Sequence, residues 1–229
     1  MTLTLQRDQQ LALIPGLADP VEPIEELYPD CLMLRQFLSF EEQQELVASC
    51  RQWCAHGFHT PSMPDGSKLN HPICGLGFDW VPYEYLPAKR PFPDELQTLA
   101  NRALIEANER LSQDYRPFNP DTALINYFPP KSSLGSHVDR SEDESLRKAG
   151  SPIITAALGD DCILTVGGFR RTTKSKKVTM RSGDVFLMCG PSRMRFHGVP
   201  KIEPRTAPIG LDMKPGRISI TIRQARRAA

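Results

Sequence analysis

The stretch KVTMRSGDVFLMCG, Lys177–Gly190, holds two short apolar runs separated by a polar break. Ser182-Gly183-Asp184 is a turn signal, because glycine and aspartate accept backbone angles that most residues resist. The next run, Val185-Phe186-Leu187-Met188-Cys189, has no polar interruption and is too short for a helix, so it reads as a buried strand. The same rhythm recurs on both sides. TALINYF, PIITAALG, CILTVGG, FHGVP and ISITIRQ are short apolar runs punctuated by Gly, Pro and Asp. Such a succession of short strands predicts a sandwich or barrel over residues 121–229.

Upstream the pattern is helical. CLMLRQFLS reads as a strand entering a helix, with Ser39 and Glu42 spaced as a capping box. In the helix itself, Phe40, Leu46, Val47, Cys50 and Cys54 can share one face. A second helix opens at Pro93-Asp94, and Leu96, Leu99, Ala103, Leu104, Ala107 and Leu111 recur at helical spacing. Residues 55–93 read as loop-rich, and residues 1–30 as an irregular arm. Two helices followed by many strands predict an α+β domain in which the helices buttress one sheet. The whole chain reads as a single domain, with the arm at 1–30, helices and a lid over 31–120 and the strand-rich core over 121–229.

Composition narrows the class. The 229 residues are 40% hydrophobic, enough for a sizeable core, and 21 prolines with 15 glycines favour a turn-rich β fold over a helical bundle. No apolar run reaches the length of a membrane span, and the first residues show no basic segment followed by an apolar core. A cytoplasmic chain with six free thiols and no membrane partner is the resulting expectation. Cys54, His56 and His59 lack a second ligand pair at finger-like spacing, which argues against structural zinc. A net charge of +1 excludes a uniformly basic surface, so any nucleic-acid contact must be local. The one basic cluster is FRRTTKSKK, Phe169–Lys177, which contains Arg170, Arg171, Lys174 and Lys176 and no acid. It reads equally well as a solvated loop.

Chemistry enters with LGSHVDRSE, Leu134–Glu142. Residues i and i+2 of a strand point to one face, so His137 and Asp139 can reach a common ion while Val138 turns away. His197 is the histidine that the later strands supply as a third ligand. Two imidazoles and one carboxylate leave coordination positions open, the arrangement of non-haem Fe(II) oxygenases, although zinc also binds such a set. RISITIRQ then places Arg217, Ser219, Thr221 and Arg223 on one face. Two arginines facing a barrel interior are costly unless they meet anions. Protein carboxylates or solvent would serve. A dicarboxylate such as 2-oxoglutarate, suited to bidentate arginine pairing, is the reading favoured beside a His-x-Asp…His set.

Taken in order, Asn126-Tyr127, LGSHVDRSE, LTVGGFRR, SGDVFLMCGPSRMRFHGVP and RISITIRQ resemble successive motifs of the AlkB family of Fe(II)/2-oxoglutarate dioxygenases. The resemblance covers roughly Asp121–Ala225, and HVDRSE is closer to the AlkB homologue 1 branch. It implies a double-stranded β-helix (jelly-roll) core buttressed by helices, with an N-terminal nucleotide-recognition lid that CGLGFDW and the tyrosines after it resemble weakly. It implies that His137, Asp139 and His197 hold Fe(II), that Asn126, Arg217, Arg223 and Ser219 surround 2-oxoglutarate, and that Arg193 supports the site near the third ligand. Three positions depart from the family pattern: Phe128 where a second tyrosine is frequent, Ser219 where an asparagine is common, and Ser141 where many repair members carry a base-reading acid. The implied activity is oxidative demethylation of N-methylated bases in DNA or RNA, consuming dioxygen and releasing formaldehyde, succinate and carbon dioxide. A base must leave its stack to reach such a pocket. Trp80, Tyr83 and Tyr85 are candidates to sandwich it, Ser141 to face it, and the basic cluster to hold its phosphates. Core aromatics under a loop are the ordinary alternative for the first three. Two competing functions are a hydroxylase or demethylase of protein or small molecules, and a non-catalytic β-barrel binding module.

Overall fold

The computed structural model describes residues 22–226. Its strands are β1 (Ile24–Tyr28), β2 (Cys31–Leu34), β3 (Ile73–Val81), β4 (Glu84–Arg90), β5 (Thr122–Phe128), β6 (Leu134–His137), β7 (Ile153–Gly159), β8 (Asp161–Val166), β9 (Lys176–Met180), β10 (Val185–Met188), β11 (His197–Glu203) and β12 (Arg217–Arg223). The helices are α1 (Phe40–Trp53), α2 (Asp94–Ala107) and the short α3 (Glu144–Ala149). Every strand pairing is antiparallel.

The strands form two sheets, one in the order β1-β2-β10-β7-β12-β5-β3-β4 and the other β6-β11-β8-β9. The last eight strands divide four to each sheet, and successive strands mostly cross from one sheet to the other, which is the jelly-roll arrangement. β1–β4 extend the larger sheet at both edges. One face of that sheet packs on α1 and α2 through Leu34, Leu76, Ile125, Leu187 and the isoleucines of β12. Its other face meets the smaller sheet through Met33, Phe128, Leu164, Met180 and Phe186. A sheet covered on both faces needs uninterrupted apolar strands, and VFLM of β10 is buried throughout.

The turn at Ser182-Gly183-Asp184 does more than reverse the chain. Gly183 takes φ +86°, and the buried Asp184 carboxylate accepts from Arg35 Nη1 at 2.7 Å and from the Gln36 and Arg181 amides. It thereby ties the start of β10 to the end of β2. Both reciprocal bonds of the Ser39/Glu42 capping box are present at the start of α1.

Three expectations need correction. The irregular arm falls outside the described residues up to residue 21, and the remainder of it contains an edge strand, Ile24–Tyr28, with Leu27 buried. Residues 55–72 are loop as expected, but the rest of the segment is not: β3 and β4 form a hairpin that completes the sheet beside β5. The second helix also stops at Ala107. Leu111 packs on the same core from beyond its end.

Candidate active site

β12 sets the polarity of the space between the sheets. Ile218, Ile220 and Ile222 point into the helix-side core, so Arg217, Ser219, Thr221 and Arg223 are turned inward. They line a cavity of about 240 Å3. Its apolar wall includes Phe128, Leu164, Met180 and Phe186, and its rim carries His137, Asp139 and His197.

Those three residues form the group of potential metal ligands found among the described residues, their ligand atoms all lying within 4.8 Å of one another. β6 ends at His137, so Asp139 lies just past the strand, and β11 brings His197 opposite His137 in register. Each Nε2 faces the carboxylate, at 3.6 Å for His137 and 3.7 Å for His197. Each Nδ1 is spent on a backbone carbonyl, Gly135 at 2.9 Å and Arg195 at 3.1 Å. A carbonyl only accepts, so both Nδ1 atoms carry the ring proton and both Nε2 lone pairs are left for a cation. Burial, with the neighbouring His137, pushes His197 down to about 4, which keeps it neutral as a ligand must be. His137 sits above its ordinary value: burial lowers it, but the Asp139 carboxylate more than offsets that. Burial alone would raise Asp139, yet Arg223 and the two imidazoles hold it well below the usual carboxylate range. The donor set of two imidazoles and one carboxylate fits a divalent iron ion.

The two arginines of β12 differ. Arg217 is fully buried, and its Nη1 donates to the carbonyls of Asp160 and Met180. Its Nε and Nη2 have no partner. Buried unspent guanidinium donors on a cavity wall are costly unless an anion meets them. They fit one carboxylate of 2-oxoglutarate. Asn126 and Ser219, opposite each other in the β5–β12 register, line the same wall. Arg223 is already engaged, with Asp139 Oδ2 at 2.8 Å, Glu142 at 3.5 Å and Tyr85 Oη at 3.1 Å. For Arg223, pairing with protein acids is what the structure shows, and its guanidinium reaches the metal set through Asp139. Arg193 stands behind it, donating to Glu142 Oε2 at 2.9 Å and to the Ser151 carbonyl.

The substrate candidates separate. Trp80 and Tyr83 line the cavity from the β3–β4 hairpin. Tyr83 is 62% exposed at the hairpin tip, in the left-handed region at φ +70°, where a bulky residue is uncommon. Trp80 Nε1 donates to Ser141 Oγ at 3.2 Å, so Ser141 holds the lid tryptophan over the rim. Tyr85 does not join them. It is 3% exposed, and burial raises its hydroxyl to about 12, so it stays a neutral partner of Arg223. In the basic cluster, Arg170 and Lys174 are exposed. Arg171 bonds the Ser136 carbonyl, one residue from His137, and Lys176 donates to the Leu27 carbonyl against the Tyr28 ring. Lys176, although exposed, is thereby tied between β9 and β1. Two site residues carried no expectation: Glu142, whose acid three places after Asp139 was a legible signal, and His71, a rare histidine before a strand.

The 2OG-Fe(II) oxygenase superfamily model matches residues 30–223. The chain is 30% identical to the Arabidopsis thaliana DNA N(6)-methyladenine demethylase ALKBH1D over 85% of its own length and 49% of that protein. It is 34% identical to the Schizosaccharomyces pombe tRNA demethylase abh1 over 62% of its length and 44% of that protein. It thus spans about half the length of these relatives. The structure of OsALKBH1 superposes with a TM-score of 0.80 at 30% identity, over 88% of this chain and 100% of that one. The chain belongs to the 2OG-Fe(II) oxygenase superfamily, within its AlkB group and closer to the ALKBH1 branch.

Proposed function

We propose that this protein is an Fe(II)/2-oxoglutarate-dependent demethylase of N-methylated bases in nucleic acid. The observation that carries the reading is Arg217: a buried guanidinium with two unspent donor atoms, in the same cavity as a His-Asp-His set whose two Nε2 atoms converge on one carboxylate. The names of its relatives, demethylases of DNA and of tRNA, support the substrate class.

His137, Asp139 and His197 would hold the iron, and Arg217 with Ser219 and Asn126 would hold the cosubstrate. Bound together with dioxygen, iron and 2-oxoglutarate supply the oxidation of a methyl C–H bond, with succinate and carbon dioxide as co-products. The rest belongs to the protein. Arg223 keeps Asp139 an anion and fixes its orientation. The apolar wall limits water around the reacting methyl group. Trp80, held by Ser141, and Tyr83 offer ring faces to a base lifted from its stack. The hydroxymethyl product then loses formaldehyde and leaves the base with hydrogen on nitrogen.

A panel of N-methylated DNA and RNA oligonucleotides, with methylated peptides alongside, tests this by mass spectrometry of substrate and succinate. Base demethylation matched by succinate release is expected. Turnover stimulated by peptides and by no oligonucleotide would refute the substrate class. The basic loop makes a separate prediction. Arg170→Glu with Lys174→Glu should weaken oligonucleotide binding and flatten its salt dependence, by about 0.7 in log–log slope for each single-strand phosphate no longer neutralised. An unchanged slope removes this loop from the binding surface.

A further inference from the structure

His71 lies on the cavity wall with 1% of its surface exposed, and nothing above gives it a function. Its neighbours decide which ring nitrogen carries the proton. Nε2 is 3.1 Å from Asn126 Oδ1. The other end of that carboxamide, Nδ2, donates to the Leu124 carbonyl at 3.4 Å. A carbonyl only accepts, so the Asn126 nitrogen must face Leu124 and the oxygen must face His71. Nε2 is therefore the protonated nitrogen. Burial lowers the pKa of His71, which favours a neutral ring with that single N–H. Nδ1 is then an acceptor, and it lies 3.2 Å from Asn70 Oδ1, while Asn70 Nδ2 donates to the Ser133 hydroxyl at 3.2 Å. Asn70 is exposed and a hydroxyl gives or accepts, so turning that carboxamide over costs no bond to Ser133 and brings its nitrogen to Nδ1, whereas Asn126 is held in place by Leu124.

The His71 ring also stacks on Phe128, with centroids 4.2 Å apart and planes 32° from parallel. Phe128 and Asn126 lie opposite Arg217 and Ser219 in the β5–β12 register. Phe128 offers a ring and no donor, so the polar service of this part of β5 falls to Asn126. With Oδ1 taken by His71 and one Nδ2 hydrogen taken by Leu124, the second Nδ2 hydrogen is left for an acceptor in the cavity.

We propose that His71 is a positioning residue of the cosubstrate subsite: stacked on Phe128 and donating from Nε2, it locks the Asn126 carboxamide so that its free N–H receives an oxygen of 2-oxoglutarate. This rests on the reading of the cavity as a 2-oxoglutarate site. Without His71 the carboxamide keeps only its 3.4 Å bond to the Leu124 carbonyl, and its free N–H loses its fixed aim at the anionic ligand.

The test loads the full chain with Mn(II) in place of iron and measures 2-oxoglutarate affinity by calorimetry. His71→Phe keeps a ring on Phe128 and removes the donor, and should weaken binding by about tenfold, the upper end for one hydrogen bond. His71→Gln, whose amide nitrogen reaches the Nε2 position, should restore it. Mn(II) affinity should not change in either variant, and in an Asn126→Ala background His71→Phe should have no further effect. Equal 2-oxoglutarate affinity in wild type and His71→Phe overturns the proposal, and so does a penalty that persists in full without Asn126. The ring tautomer, read by 15N NMR on the unmutated protein, is independent of how any variant folds: an Nδ1–H ring overturns the proposal. A wild-type Mn(II) protein that takes up no 2-oxoglutarate overturns the cosubstrate reading as well, which separates the two failures.

Discussion

His137→Ala is expected to cut iron-dependent 2-oxoglutarate turnover by at least about 100-fold while leaving a folded protein. Loss of a group that merely supports a metal ligand typically costs about 10–100-fold in affinity or activity, and loss of the ligand itself costs more. The position is suited to the test because His137 ends a four-residue strand, with its side chain 33% exposed and its polar bonds confined to the Gly135 carbonyl and Asp139. Removing it strands no buried charge. Asp139→Ala is a poorer choice, since it takes the nearest anion from Arg223, whose own pKa is raised by that contact despite its burial. Turnover, anaerobic iron binding and thermal unfolding measured together decide the matter. Wild-type turnover in His137→Ala would remove the metal set as the catalytic centre.

The core strands were legible in the sequence because they depend on local alternation; the metal set was legible from residue type and spacing, although Asp139 lies past the end of β6 and His197 is brought in by strand pairing. β12 is the clearest case: isoleucines at 218, 220 and 222 leave the polar residues at 217, 219, 221 and 223 a single face, and that face lines the cavity. The β3–β4 hairpin was hidden by its glycines. Gly77 takes φ +70°, and a Cβ there would collide with the Asp121 carbonyl, where the chain passes close enough for the Phe78 amide to bond it. Glycines placed for close approach look in a sequence like loop punctuation. Tyr85 was misassigned for a different reason. Its partner Arg223 lies 138 residues away, and no local pattern distinguishes an aromatic that stacks on a ligand from one that bonds a buried arginine. Lys176 shows the same limit, since its tie to Leu27 spans 149 residues.

Glu142→Ala should destabilise the protein by about 3–5 kcal/mol, the cost of breaking a buried ion pair from one side. Glu142 and Arg193 side chains are each 1% exposed, and their contact is 2.9 Å. Burial lowers the pKa of Arg193, which shows that the environment resists its charge, and Glu142 is the largest influence acting the other way. Alanine would leave that guanidinium with the Ser151 carbonyl as its remaining hydrogen-bond partner and would also take a carboxylate from Arg223. For a domain of this size the loss corresponds to a fall in Tm of roughly 6–20 °C. The consequences reach the metal set, because Arg223 orients Asp139 and would be freed on the side that Glu142 holds. Activity should therefore fall further than stability alone accounts for at temperatures where the variant is still folded. Glu142→Gln separates the two effects. It keeps an oxygen for Arg193 and the volume of the side chain while removing the charge, so its Tm should fall less than that of alanine. A Tm within about 1 °C of wild type for Glu142→Ala, against that 6–20 °C expectation, would mean that Arg193 finds another anion and that the buried network does not support the site.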